Sequence, residues 1–503
     1  MHRRAKIVAT LGPATSSPSA VKRLFKAGVD VVRLNLSHGT ANEHSRFIAT
    51  VREQAAGLER EIPILLDLMG PRYRLGHLAE PRTLRRGQRV TLGLEGQDVD
   101  LPVDDPHLLE HLADGERLLI DNGLVELLIT GRQGPVVLAK VVSGGPVSTR
   151  KGINMPDSKL PFAISDKDRQ DIQLAAREKV DYLAASYVGR GADVRAIRQA
   201  MREAGGNQLV VAKLERGRAV QHIDEITADA DALMVARGDL GVEVPLHRVP
   251  VLQKQMINAG RRFGKPVIVA TQMLESMMEH PRPTRAESSD VANAVLDGAD
   301  ALMLSGETAA GRYPAETVRT MQRIIREAEA FAAERHGSGA AATVDPFRPL
   351  QPGAISRDGD AERSALEAAN LVAASAVFAT HRMPVRQLVA FSQGGFTARM
   401  ISRYRPSVPV VVFTADPAVA RRVQLFWGVR ALVMSDEVAH HDEVVEVVDR
   451  HLLEGRLARP GDCVIVLMGD PIRDRPLTNL LRVHRVRSTA CREAAARTTP
   501  AAR

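Results

Sequence analysis

LVVAKLERG, residues 209–217, begins as a buried strand and then breaks its own pattern. Four apolar residues lead into Lys213 and Glu215, which the two-residue period of a strand places on one face. Seven other runs rich in apolar and β-branched residues share this look: KIVATLG from Lys6, DVVRLNLS from Asp30, IPILLDLMG from Ile62, YLAASYVG from Tyr182, ALMVARGD from Ala232, PVIVATQM from Pro266 and ALMLSGET from Ala301. Most are separated by text of helical period that often closes on glycine, such as SSPSAVKRLFKAG and LQKQMINAGRRFG. Strand and helix alternating eight times over specify an α/β fold, the (β/α)8 TIM barrel.

The gap between the third and fourth strands is too long for a loop and contains strand-like text of its own, including RTLRRGQRVTLGL and PVVLAKVVS. A small β domain, a lid of β-barrel type over residues 71–157, is therefore expected between the barrel segments 1–70 and 158–336. Residues 337–354, rich in Gly, Ala and Pro, read as a linker. Beyond it helix and strand alternate again, as in ERSALEAANLVAASAVFATH, VPVVVFTAD and DCVIVLMGD. A C-terminal α/β domain is expected over 355–487, with 488–503 as a disordered tail.

Composition narrows the function. The chain has 503 residues, 44% hydrophobic and 25% charged, enough for several separate cores. It has no apolar run of membrane-spanning length, and Gly12 and Pro13 cut short any secretory h-region, so a cytoplasmic protein with no membrane partner is expected. Two cysteines, Cys463 and Cys491, make neither a disulfide framework nor a CxxC metal pair. The net charge of +8 comes from scattered arginines, with aromatic residues at only 3%, which points to a small anionic ligand and not to nucleic acid. The GxxxxGK[ST] loop, the HRD and DFG signatures, GxSxG and HExxH are all missing from the sequence. Any phosphate chemistry must come from the barrel itself.

A barrel carries its chemistry at the C-terminal ends of its strands. The polar residues there are Arg33, Asn35 and Ser37, then Asp67, Ser186, Lys213, Glu215, Asp239, Thr271, Gln272, Ser305 and Glu307. Glu215 and Asp239 end adjacent strands and can share one divalent ion, leaving positions for substrate oxygens and water, the way Mg²⁺ is commonly held. Lys213 would stand beside that ion and neutralise a phosphate or enolate oxygen. On spacing alone the pair reads equally well as an ion pair closing the barrel mouth. Gly238 and Gly241 around Asp239 suit backbone amides converging on an anion, and they equally suit a tight turn. Ser305 could cap the following turn, and Thr271 could be a plain strand residue.

Taken together, KIVATLGPAT, VVRLNLSHG, LDLMGPRYR, KGINMP, AKLERG, MVARGDLGVE, TRAESSDVANAVLDGADALMLSGETAAGRYP and ISRYRP resemble the pyruvate kinase family over nearly the whole chain. The resemblance implies a barrel with an inserted β lid and a regulatory C-terminal domain, a homotetramer, and phosphoryl transfer from phosphoenolpyruvate to ADP, giving pyruvate and ATP in the last step of glycolysis. By the same resemblance Glu215 and Asp239 hold Mg²⁺, with Mn²⁺ as the alternative, and the amides around Gly238 and Asp239 receive the substrate carboxylate. Lys213 stabilises the phosphoryl group in flight and the enolate, and Thr271 positions the proton donor. Arg33 and Arg74 correspond to phosphate-contacting arginines; Arg74, Asn35, His38 and Lys151 fall at nucleotide-binding positions.

Two departures matter. Many members read DTKGPEIR where this chain has DLMGPRYR, and in those the Glu accompanies a bound K⁺. Here Arg72 replaces that Glu and Leu68 the Thr, so a fixed guanidinium can supply the ion's charge and no K⁺ requirement is expected, although Asn35, Ser37 and Asp67 of the monovalent-cation site remain. The loop FSQGGFTAR, 391–399, lacks the lysine of sugar-bisphosphate-activated members, so Ser392, Gly394, Gly395 and Thr397 leave a phosphorylated allosteric effector open. Two rivals stand beside this reading. A Mg²⁺-dependent aldolase or lyase barrel would need neither lid nor Lys151, and a catalytically dead sensor would show damage among Lys213, Glu215, Asp239 and Thr271, all intact here.

Overall fold

The structure, a computed structural model, describes residues 3–71, 73–158, 161–337, 360–434, 441–470 and 477–488. Arg72, nearly all of the expected linker and nearly all of the expected tail lie outside the described residues. No helix among the described residues is long and apolar enough to cross a membrane.

All eight expected strands form and close into one parallel barrel in chain order: Lys6–Thr10, Val31–Asn35, Ile64–Asp67, Tyr182–Ala185, Leu209–Leu214, Ala232–Ala236, Val267–Ala270 and Ala301–Leu304. Their runs of Val, Ile, Leu and Ala are buried on both faces, as a parallel sheet wrapped in helices requires. The helices start and stop where local chemistry dictates. Ser17 accepts from the Ala20 amide and Pro18 opens the helix Pro18–Ala27, which ends on Gly28 at φ 116°. Thr40 and Glu43 form a capping box on Ala41–Ala56, and Gly264 at φ 62° closes Val249–Phe263.

Inside the barrel, Val31, Leu65, Ala184 and Val211 belong to one buried apolar cluster. Two residues further along each strand, on the same face, stand Arg33, Asp67, Ser186 and Lys213. The interior stripe is therefore apolar in the middle of the barrel and charged at its mouth.

The lid is a seven-stranded sheet whose strands run from Tyr73–Arg74 to Gly152–Asn154, joined by a two-stranded piece, with a separate core around Leu92, Leu118, Leu127 and Val137. In it Tyr73–Arg74 pairs antiparallel with Gly152–Asn154. The third domain carries a five-stranded sheet in the order Val429–Val433, Val410–Thr414, Val385–Phe391, Cys463–Met468, Leu480–Arg485. The last of these, an antiparallel edge strand, carries too little buried apolar text to stand out in the sequence.

Candidate active site

Barrel closure brings Arg33, Asp67, Ser186, Lys213 and Glu215 to one point. Lys213 is 8% exposed, and its ammonium donates to Ser186 Oγ at 2.6 Å. It lies 3.3 Å from Asp67 Oδ1 and 3.3 Å from Glu215 Oε2. Arg33 donates from Nε to Asp67 Oδ2 at 2.7 Å and from Nη1 to Thr10 Oγ1 at 3.0 Å. Burial alone would discharge Lys213, but the carboxylates of Asp67 and Glu215 outweigh it and raise its pKa above the usual lysine value. The ammonium is thus a fixed charge at physiological pH and not a proton shuttle.

Glu215 sits in the opposite balance. Burial, with the nearby Asp239 and Asp67 charges, pushes its carboxyl up to about 7 against the pull of Lys213 and of the Tyr187 amide, which donates to Oε1 at 2.5 Å. Glu215 Oε2 and Asp67 Oδ1 are buried without a hydrogen-bond donor, facing only the ammonium. Glu215 Oε2, with the Asp239 charge near it and one ammonium as its sole cationic neighbour, favours a further cation.

Asp239 lies in the first turn of the short helix Arg237–Glu243, partly exposed and close enough to Glu215 to raise its pKa. The described residues contain no group of three or more His, Cys, Asp or Glu that could hold a metal by themselves. Two carboxylates with open positions are what a Mg²⁺ shared with substrate oxygens calls for, so the residues fit the ion.

Thr271 has φ 71° and Gln272 φ 51°, and for a β-branched residue the left-handed region costs on the order of 1–3 kcal/mol. Its hydroxyl donates to Ala270 O at 2.6 Å and accepts from the Gly238 amide at 2.8 Å. Arg237, a residue the sequence does not mark as functional, holds this turn. Its guanidinium donates to Thr271 O at 2.6 Å, contacts Met273 Sδ at 2.8 Å and pairs with Asp290 at 2.6 Å. The only sequence signal for that clamp is an arginine directly preceding Gly238-Asp239 at a strand end. Ser305 makes no side-chain cap; instead Glu307 accepts from the Ser305 amide at 2.7 Å and the Leu274 amide at 3.2 Å, tying the eighth strand's end to the seventh's loop.

The nucleotide candidates fall in two groups. Arg74 and Lys151 are neighbours on the lid sheet, where Arg74 Nη1 donates to Arg150 O at 3.0 Å and Lys151 Nζ pairs with Asp121 at 2.7 Å. Asn35 ends the second barrel strand and the exposed His38 follows it, with Asn35 Oδ1 accepting from the Ser37 amide at 3.2 Å. Between lid and barrel lies a cleft lined by Tyr73, Asn154, Tyr187, Arg216 and Glu243.

A fixed ammonium among buried carboxylates, on a barrel overhung by a β domain, is the apparatus of a phosphotransferase. The comparisons specify which one. The family profile "Pyruvate kinase, barrel domain" matches residues 2–318 and "Pyruvate kinase, alpha/beta domain" residues 370–484. The chain is 41% identical over 495 residues to a pyruvate kinase of Mycobacterium tuberculosis, covering 97% of this chain and 99% of the relative. It is 41% identical over 490 residues to one of Corynebacterium glutamicum, covering 96% and 98%. The crystal structure of a pyruvate kinase from Cryptosporidium parvum superposes with a TM-score of 0.84 at 32% identity, covering 96% of both chains. This chain belongs to the pyruvate kinase family, and its reaction is phosphoryl transfer from phosphoenolpyruvate to ADP, giving pyruvate and ATP.

Proposed function

We propose that Lys213 carries this reaction by holding its positive charge against the phosphoryl group in transit and then against the enolate, with Arg33 as the second phosphate-facing cation. The observation behind this is the Lys213 ammonium, fixed by Ser186 and kept charged by Asp67 and Glu215. Positioning and electrostatics supply most of the catalysis of phosphoryl transfer, so a preorganised charge at this place acts directly on the barrier. Glu215 and Asp239 would hold Mg²⁺, or Mn²⁺ in its place. The bound ion would neutralise substrate oxygens.

The substrate carboxylate would take the amides of Gly238 and Asp239. It would displace the Thr271 hydroxyl from the Gly238 amide, leaving that hydroxyl to orient the water that protonates enolpyruvate. ADP would lie between the lid residues Arg74 and Lys151 and the barrel residues Asn35 and His38. Lid closure over this cleft, with the lid taken as residues 71–157, the barrel as 1–70 and 158–336 and the regulatory domain as 355–487, would keep the phosphoryl group from water. A coupled assay of pyruvate release from phosphoenolpyruvate and ADP tests the assignment through the variants argued in the Discussion.

No monovalent ion is required in this reading. Arg72 stands where K⁺-binding members carry Glu, and Leu68 where they carry Thr, so a guanidinium would supply the charge of the ion although Asn35, Ser37 and Asp67 remain. Turnover is expected to change less than about two-fold when Na⁺ replaces K⁺ at equal ionic strength; a large stimulation by K⁺ would overturn the assignment.

The reading also includes a cytoplasmic homotetramer under a phosphorylated effector. Exposed large apolar residues support assembly: Leu246 and Val251 on the barrel, and Leu371 and Phe378, one heptad apart on a helix of the third domain, all more than half exposed. Light scattering in solution is expected to give the mass of four chains, and a monomer mass at micromolar protein would reject that assembly.

A further inference from the structure

We propose that the cavity between the base of the barrel and the third domain binds a phosphate-type oxyanion, free or as a phosphate monoester, held by Arg261, Lys265, Arg399 and Arg403. This cavity lies at the end of the barrel opposite the catalytic mouth, since Lys265 precedes the seventh strand. Five cationic side chains line it, Arg405 being the fifth, and only one carboxylate, Asp300.

That carboxylate is fully engaged. Arg405 donates to Asp300 Oδ1 at 2.8 Å and to Oδ2 at 2.8 Å, and the Val267 and Trp427 amides add 3.0 and 3.3 Å contacts. Arg405 is thereby neutralised and the other four cations are not. Arg403 donates to the neutral Asn370 Oδ1 at 2.7 Å. Lys265 is only 7% exposed and its ammonium makes no hydrogen bond or ion pair among the described residues, and the buried Nε atoms of Arg261, Arg399 and Arg403 have no acceptor.

Burying an unpaired cation costs several kcal/mol, so four together oppose folding unless something anionic answers them. The strain shows in the ionisation of the group. Burial and the Arg399 charge bring Lys265 down to about 7, with Asp231 and Asp229 opposing and Arg198 adding to the fall, and burial with the Arg405 charge brings Arg261 down to about 10. Arginine forks beside a lysine match a tetrahedral oxyanion, which can accept from several of them at once. The cavity is narrow and excludes a bulky body; a phosphate group would enter it as the arginine side chains part to take its oxygens. Lys265 and Arg261 belong to the barrel and Arg399 and Arg403 to the third domain. A bound anion would tie the two together and give a phosphorylated metabolite a handle on the enzyme.

The loop 391–399 is the weaker place for such a ligand. Thr397 already spends its hydroxyl on Thr478 Oγ1 at 2.7 Å.

The test uses the full-length protein and does not depend on the catalytic assignments. Thermal melts and calorimetry are run with inorganic phosphate and, separately, glycerol phosphate, against chloride at equal ionic strength, for the parent, Lys265→Met and Arg399→Gln. Phosphate should raise the melting temperature of the parent above that in chloride. Each variant should melt as high as or higher than the parent in chloride, since an unpaired buried charge has gone, and should bind phosphate at least about ten-fold more weakly. Tighter binding of glycerol phosphate identifies an ester as the ligand, tighter binding of inorganic phosphate the free ion, and both uphold the site. Stabilisation by phosphate no greater than by chloride overturns it. So does a phosphate shift that survives both substitutions, which would locate the anion at the catalytic mouth, or variants that melt lower in chloride, which would make these cations purely structural.

Discussion

Lys213→Met lowers kcat for pyruvate formation by about 10³–10⁵-fold, the range associated with removing a charge that stabilises a transferring phosphoryl group. The substitution keeps most of the side chain's length and removes the ammonium alone. Two consequences separate this prediction from a general loss of fold. Asp67 retains its bonds from Arg33, so one of the three ion pairs at the barrel mouth remains. Glu215 loses the main influence holding its carboxyl down, so its pKa moves further above the usual carboxylate range.

The sign of the stability change follows from the Lys213 shift. Its pKa is raised in the folded state, so the stabilisation is fully present below the unfolded lysine value of about 10.4 and is lost only as pH rises through the folded value. The variant should therefore melt lower than the parent across the physiological range, while circular dichroism retains the native spectrum. A variant with native secondary structure and a kcat within ten-fold of the parent would remove Lys213 from the chemistry.

Glu215→Ala is expected to lower kcat at fixed Mg²⁺ by about 10³-fold, the several kcal/mol attributed to a metal's charge stabilisation converted at 1.36 kcal/mol per decade. It removes the Mg²⁺ ligand candidate whose buried Oε2 makes no hydrogen bond. Binding supplies the readout independent of turnover. Electron paramagnetic resonance of Mn²⁺ titrated into the protein should show tight binding in the parent and loss of it in the variant. Undiminished Mn²⁺ binding in Glu215→Ala would place the ion elsewhere, whatever happened to the rate.

Much of this was legible in one dimension. The eight barrel strands are runs of Val, Ile, Leu and Ala buried on both faces, and such runs stand out against helical periodicity. Lys213 and Glu215 could be assigned to one face because a strand's side chains alternate. The third domain's edge strand, Leu480–Arg485, is not legible because its apolar residues are not buried and its one buried residue is His484. The left-handed turn at Thr271 was hidden for a different reason: nothing in ATQML announces a positive φ, and the clamp that sustains it, Arg237, reaches it from the neighbouring strand.

By itself, then, the sequence determined the order of strands and helices, the face on which each charge lies and the strand end from which it projects, because these depend on local periodicity. Which charges meet was decided only by tertiary structure. Barrel closure set Lys213 between Asp67 and Glu215, and docking of the third domain set Lys265 near Arg399. Coulomb energy and desolvation depend on distance and burial, and neither is a property of the chain until it has folded.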